Sequence, residues 1–143
     1  MSTEDNKELV RRLLEEVTNQ RNLAAVDQLV TPNFVGYFTS FPPVQGAEGL
    51  KQAISTVLTA FPDFHFTFDD MIAEADKVVA RLTIRGGHTG ALMGIPPTGK
   101  QITISALHIY RVAGGKLVEG WVNSDDLGMM QQLGVVPAPG QAS

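Results

Sequence analysis

Residues 101–134 read QITISALHIYRVAGGKLVEGWVNSDDLGMMQQLG. Ile102, Ile104, Ala106, His108 and Tyr110 alternate with Gln101, Thr103, Ser105 and Arg111, the period of a strand with one apolar face. Gly114-Gly115 suits a two-residue hairpin turn, Leu117 to Asn123 reads as the returning strand, and Asp126 to Leu133 as a short helix. With that turn, Ala113 faces Lys116. Counting back sets His108 opposite Trp121, Ala106 opposite Asn123 and Ile104 opposite Asp125, and directly opposed residues share a face. His108, Trp121, Asn123 and Asp125 are therefore expected to line one concavity on the helix-facing side, with Tyr110 beside them. A one-residue slip would send Asp125 to the opposite face from His108.

Working outward, strands are expected at about 64–74, 77–88, 100–112 and 116–124. Turns around Ala75-Asp76 and Gly114-Gly115 and the loop LMGIPPTG join them. Ahead of them, Ser2 or Thr3 followed by Glu4 and Asp5 marks a helix start. Leu9, Val10, Leu13, Leu14 and Val17 continue it at helical spacing to about Asn19. Asn22 can cap a shorter helix over Leu23 to Val30, stopped by Pro32. Asn33 to Phe38 reads as a strand, TSFPPVQG as a loop, and Ala47 to Phe61 as a third amphipathic helix ended by Pro62. Helices first and a meander afterwards give an α+β fold, with helices packed on one side of a curved antiparallel sheet. The absence of a βα rhythm argues against a parallel Rossmann sheet. One domain, residues 1–136, and a mobile tail over 137–143, PAPGQAS, account for the chain.

With 143 residues, 43% of them hydrophobic, such a domain can bury roughly 70% of its unfolded surface and still leave a pocket. A net charge of −4 with no Lys/Arg block offers no footprint for nucleic acid or an anionic membrane, so the expected partner is a small organic molecule. Without cysteine, and with His65, His88 and His108 lacking a helical metal-ligand spacing such as HExxH, no structural zinc or other metal site is expected. The acidic start, lacking a long apolar run, reads as neither signal peptide nor membrane span, and the expected location is cytoplasmic.

The candidate site residues carry competing roles. His108 is a pocket group or a core histidine bonded to a backbone carbonyl; Trp121 packs the core, contacts ligand, or does both. Asp125 and Asp126 sit where a helix cap is needed. The division of labour expected is that Asp126 or Ser124 caps while Asp125 turns inward as an acid/base. His88, between Gly86-Gly87 and Thr89-Gly90, suits a bulge or close backbone approach, and a pocket-rim position as readily as a catalytic one. His65 suits a surface or edge. Asp70 with Arg81, and Glu74 with Lys77, read as cross-strand ion pairs.

GGHTGALMGIPPTGKQI, LHIYRVAGGKLVEGW and DDLGMMQQLG together resemble the SnoaL-like polyketide cyclase or ester cyclase family over nearly the whole chain. The resemblance implies a nuclear-transport-factor-2-like α+β cone enclosing a pocket, a homodimer formed through the outer sheet face, and cofactor-free aldol closure of a polyketide ester with an aspartate as acid/base. Asp125 matches that aspartate and His108 the pocket histidine. Trp121, Asn123, Tyr37, His88 and Tyr110 are the candidate substrate contacts. The chain departs from the family's pattern at Tyr37 and Ala91, where relatives often carry histidine and glutamate. The same cone also serves isomerases, dehydratases, epoxide hydrolases and non-catalytic binding modules.

Overall fold

The structure is a computed structural model describing residues 2–39, 41–137 and 139–140. The expected tail over 137–143 lies largely outside them. Helix α1 (Thr3–Arg12) opens with a capping box in which the Asp5 amide donates to Ser2 Oγ (3.1 Å) and the Ser2 amide to Asp5 Oδ2 (3.2 Å). It widens into a π-helix over Leu13–Asn19 that keeps Leu13, Leu14, Val17 and Thr18 buried. A short 3₁₀ turn (Leu23–Ala25) and α2 (Val26–Leu29) follow, in place of the single helix expected there.

Strand β1 (Val30–Phe38) starts earlier than the sequence suggests. The loop after it contains a two-residue strand, β2 (Val44–Gln45), paired antiparallel with β1. Helix α3 (Gly46–Ala60) then leads to β3 (His65–Glu74), β4 (Lys77–Gly87), β5 (Gln101–Ala113), β6 (Lys116–Ser124) and α4 (Asp126–Leu133). The six strands form one open, curved sheet in the order β2-β1-β6-β5-β4-β3, with the helices on its concave face. The expectation of a purely antiparallel sheet is corrected in one place: β1 runs parallel to β6. Helix α3 separates β1 and its short partner β2 from β3, so no hairpin ties β1 to the meander and it is free to join the far end.

The inward row of each strand is apolar. Val78, Ala80, Leu82 and Ile84 of β4 lie beside Tyr110, His108, Ala106 and Ile104 of β5, and they pack against Val10, Leu13, Leu14, Val17 and Leu50. Two side-chain amides finish the sheet where strands run out of partners. Asn19 exchanges hydrogen bonds with the Phe66 main chain on edge strand β3 (2.8 and 3.0 Å). Gln132 does the same for Thr103 on β5, past the end of β6 (2.7 and 2.9 Å).

On the inward face Tyr110 pairs with Gly120, and its ring covers the glycine so closely that a Cβ there would lie 2.9 Å from two ring carbons and 3.2 Å from Phe34. Gly120→Ala should therefore destabilise the fold by about 1–3 kcal/mol through overpacking, read as a lower urea midpoint. An unchanged midpoint would show that the ring has room to move.

Candidate active site

The β5–β6 hairpin has the expected turn, with Ala113 opposite Lys116 and Val112 opposite Leu117. Beyond it the register slips, and Arg111 faces Glu119, so Val118 is an extra residue in β6. This bulge corrects the expected pairing. His108 faces Val122, Ile109 faces Trp121, and Leu107 faces Asn123. Trp121 and Asn123 consequently point to the outer face, away from His108. A sequence signal for the slip existed: without a bulge Glu119 would lie opposite Tyr110 on the apolar face. With it, Glu119 reaches Arg111 outside (2.7 Å).

Tyr37 follows Trp121. The two residues are partners in the parallel β1–β6 ladder, and their rings stack on the outer face with centroids 5.9 Å apart and planes 17° apart. Asp125 is exposed and is itself the N-cap of α4, its Oδ1 accepting the Gly128 amide (2.9 Å) while its own amide donates to Ser105 O (3.1 Å). Asp126, the expected cap, instead accepts hydrogen bonds from Ser124 Oγ (2.7 Å) and Thr39 Oγ1 (3.2 Å). The cap is thus Asp125 rather than Asp126, and neither acid is buried. Asp70 faces Arg81 and Glu74 faces Lys77 as expected, all four exposed, but neither pair is within ion-pair distance. His65 is exposed at the start of edge strand β3.

The inner face of β5 carries a histidine and a tyrosine. His108 is 4% exposed and its Nδ1 lies 3.0 Å from the Tyr110 hydroxyl, two residues along β5 on the same face. The Phe66 ring meets the imidazole edge-on at 5.5 Å, and Ala80 and Val122 flank it on the adjacent strands. Among the described residues Nε2 has no hydrogen-bond partner. Burial in these surroundings pushes the imidazole pKa down to about 4 and raises that of the Tyr110 hydroxyl. No Asp or Glu among the described residues is buried.

His88 is also fully buried, at the other end of β5. Its main chain bonds Lys100, its Nδ1 accepts the Thr98 amide (3.2 Å), and the Phe61 ring packs at 5.4 Å. The expected bulge or rim position gives way to a histidine that folds the 88–100 loop back on itself. Two surface cavities flank α1. One of about 410 Å³ lies by the hairpin turns at Asp76 and Gly114, the other of about 280 Å³ by Lys7, Arg11 and Met71; neither is lined by His108 or Asp125. No three His, Asp or Glu among the described residues group as metal ligands, and no helix is long and apolar enough to cross a membrane.

A curved open sheet closed on one face by N-terminal helices, with a buried polar pair on its concave side, places the chain in the class of α+β cones. Within that class it belongs to the SnoaL-like polyketide cyclase family, whose profile matches residues 8–133. It is 28% identical over 130 residues to the aklanonic acid methyl ester cyclase DnrD of Streptomyces peucetius, covering 89% of each chain. To the nogalonic acid methyl ester cyclase of Streptomyces nogalater it is 27% identical over 111 residues, covering 76% of this chain and 83% of the relative. The solved structure of a SnoaL-like protein from Jannaschia sp. CCS1 superposes with a TM-score of 0.88 over 94% of this chain and 95% of its own, a likeness of fold at 24% identity.

The buried imidazole makes stability depend on pH. In the folded protein the ring stays neutral down to about pH 4, whereas in the unfolded chain it protonates below 6.5. Between those values the unfolded state holds the extra proton, so stability falls as pH falls, by about 3 kcal/mol in all from this group. Urea titrations at pH 7 and 4.5 should show wild type losing more stability than His108→Gln. Equal losses would contradict the burial.

Proposed function

We propose that the chain is a cofactor-free enzyme of the ester-cyclase type, acting on a small, largely apolar, carbonyl-bearing ester held against the concave face. The observation that carries this reading is the His108–Tyr110 pair, a polar pair on the inner face of β5 set among Phe66, Ala80 and Val122, whose ring Nε2 has no partner among the described residues. In an intramolecular aldol closure, a carbon beside a carbonyl loses its proton and the resulting enolate carbon bonds to a second carbonyl carbon, whose oxygen becomes an alkoxide and is protonated. A neutral imidazole donating to the oxygen that gains charge lowers this barrier, typically by about 2.7–4 kcal/mol for one well-placed donor. Val122 stands across from His108 and Asp125 caps α4. The proton lost from carbon is balanced by the one gained by the alkoxide oxygen, so the closure needs no further reactant, and in this proposal Asp125 has a structural part. The names of the cyclases similar to this chain, for the methyl esters of aklanonic and nogalonic acid, support the substrate class.

A second reading, ligand binding without turnover, is favoured by Val122, since no carboxylate faces the imidazole. Assay with the two methyl esters separates them. We expect closure by wild type, a loss of about 10²–10³ in kcat for His108→Leu, and near-normal turnover for Asp125→Asn, because asparagine caps a helix about as well. Saturable binding with no product would favour the binding module. Loss of turnover in a folded Asp125→Asn protein would restore the aspartate as acid/base.

The reading extends to assembly as a homodimer through the outer sheet face. Tyr37, Trp121, Ile109, Val79 and Ile72 stand in register across five strands as one apolar row, with Ile72 59% exposed. A two-fold interface would bring this row against its own copy, apolar on apolar. Sedimentation should give a dimer for wild type and a monomer for Ile72→Glu. A monomeric wild type at micromolar concentration would refute it.

A further inference from the structure

A hydroxyl has one hydrogen to give, and a neutral imidazole has one nitrogen that donates and one that accepts. Between Tyr110 and His108 only two arrangements satisfy the 3.0 Å contact. In the first, Nδ1 carries the hydrogen and donates to the tyrosine oxygen; the tyrosine hydrogen is then left without a partner, since Tyr110 has no other hydrogen bond among the described residues. In the second, the tyrosine donates to Nδ1 and the ring hydrogen moves to Nε2, which has no partner among the described residues but, unlike Nε2 of His88, is not a fully buried atom and so keeps access to solvent or ligand. A buried donor without an acceptor is the costlier outcome. The groups packed around the imidazole from β3, β4 and β6, namely Phe66, Ala80 and Val122, offer Nδ1 no competing acceptor. The tyrosine ring is itself held in place by its close seat over Gly120.

We propose that Tyr110 is a positioning residue: by donating its hydroxyl hydrogen to Nδ1 it holds His108 in the tautomer that presents Nε2–H to the ligand. The site then takes an acceptor oxygen, such as a ketone, ester carbonyl or enolate, and disfavours an ammonium group, which would bring donor against donor. Burial, which raises the pKa of the tyrosine, keeps the hydrogen on its oxygen. This inference rests on the reading of His108 as the group on the substrate oxygen, but its central measurement does not.

Long-range proton–nitrogen correlation spectra of the full-length protein labelled with nitrogen-15 histidine, at pH 7, report which ring nitrogen bears hydrogen. Wild type should show the His108 hydrogen on Nε2. Tyr110→Phe, which keeps the ring over Gly120, should show a mixture of tautomers and, on a methyl ester that turns over, a fall in kcat of about tenfold or more with little change in KM. A wild-type hydrogen on Nδ1 would overturn the inference without any variant having to fold. So would a Tyr110→Phe protein with an unchanged tautomer. If no ester turns over, the enzymatic reading fails while the tautomer result still decides this one.

Discussion

The extra residue at Val118 governs more of this molecule than any single contact. One unpaired residue in β6 reverses the facing of everything after it, placing Gly120 and Val122 inside and Glu119 and Trp121 outside. Gly120 can then accept the ring of Tyr110, and that ring brings its hydroxyl to His108. Glu119 meets Arg111 at the surface rather than stranding a carboxylate in the core, where charge without a partner is costly. Tyr37 and Trp121 pair on the outer face for the same reason. A cost in ladder regularity at one residue is offset by the placement of several.

Closure of the sheet at its ends follows a second constraint, the need of main-chain groups for partners. The Asn19 and Gln132 amides each present an acceptor and a donor at the spacing of a neighbouring strand, and so stand in for one. Asn19 ends the π-helix and Gln132 lies in α4, so these pairs also fix how both helical ends of the chain sit on the sheet. The Asp125 cap belongs to this arrangement. It starts α4 where Gln132 can reach Thr103.

Much of this was legible in the sequence, and what was not has specific causes. Strand and helix positions followed from apolar period and from glycine and proline, and α4 and the Gly114-Gly115 turn fell where expected. The inward row of β5, His108 and Tyr110 included, was correct because its alternation is unbroken. The expected site of His108, Trp121, Asn123 and Asp125 failed because it multiplied an assumed register along β6, and Glu119 was the residue that could have exposed the error. Both Asp125 and Asp126 suit a helix start, and only geometry decides that Asp125 is the one that reaches Gly128. His88 was misplaced because its partner, Thr98, lies across a loop whose closure no local period encodes.

The parallel pairing of β1 with β6 carries a consequence for how the chain comes to be folded. β1 is made early, yet the strand it leans on lies near the other end of the sequence. Every hairpin of the meander can zip locally, while the β1–β6 seam must wait for a long-range closure, the slow kind of step. Until then the two residues of β2 are its only partner in the sheet. The edge that β1 presents is therefore the last part of the sheet to find its partner.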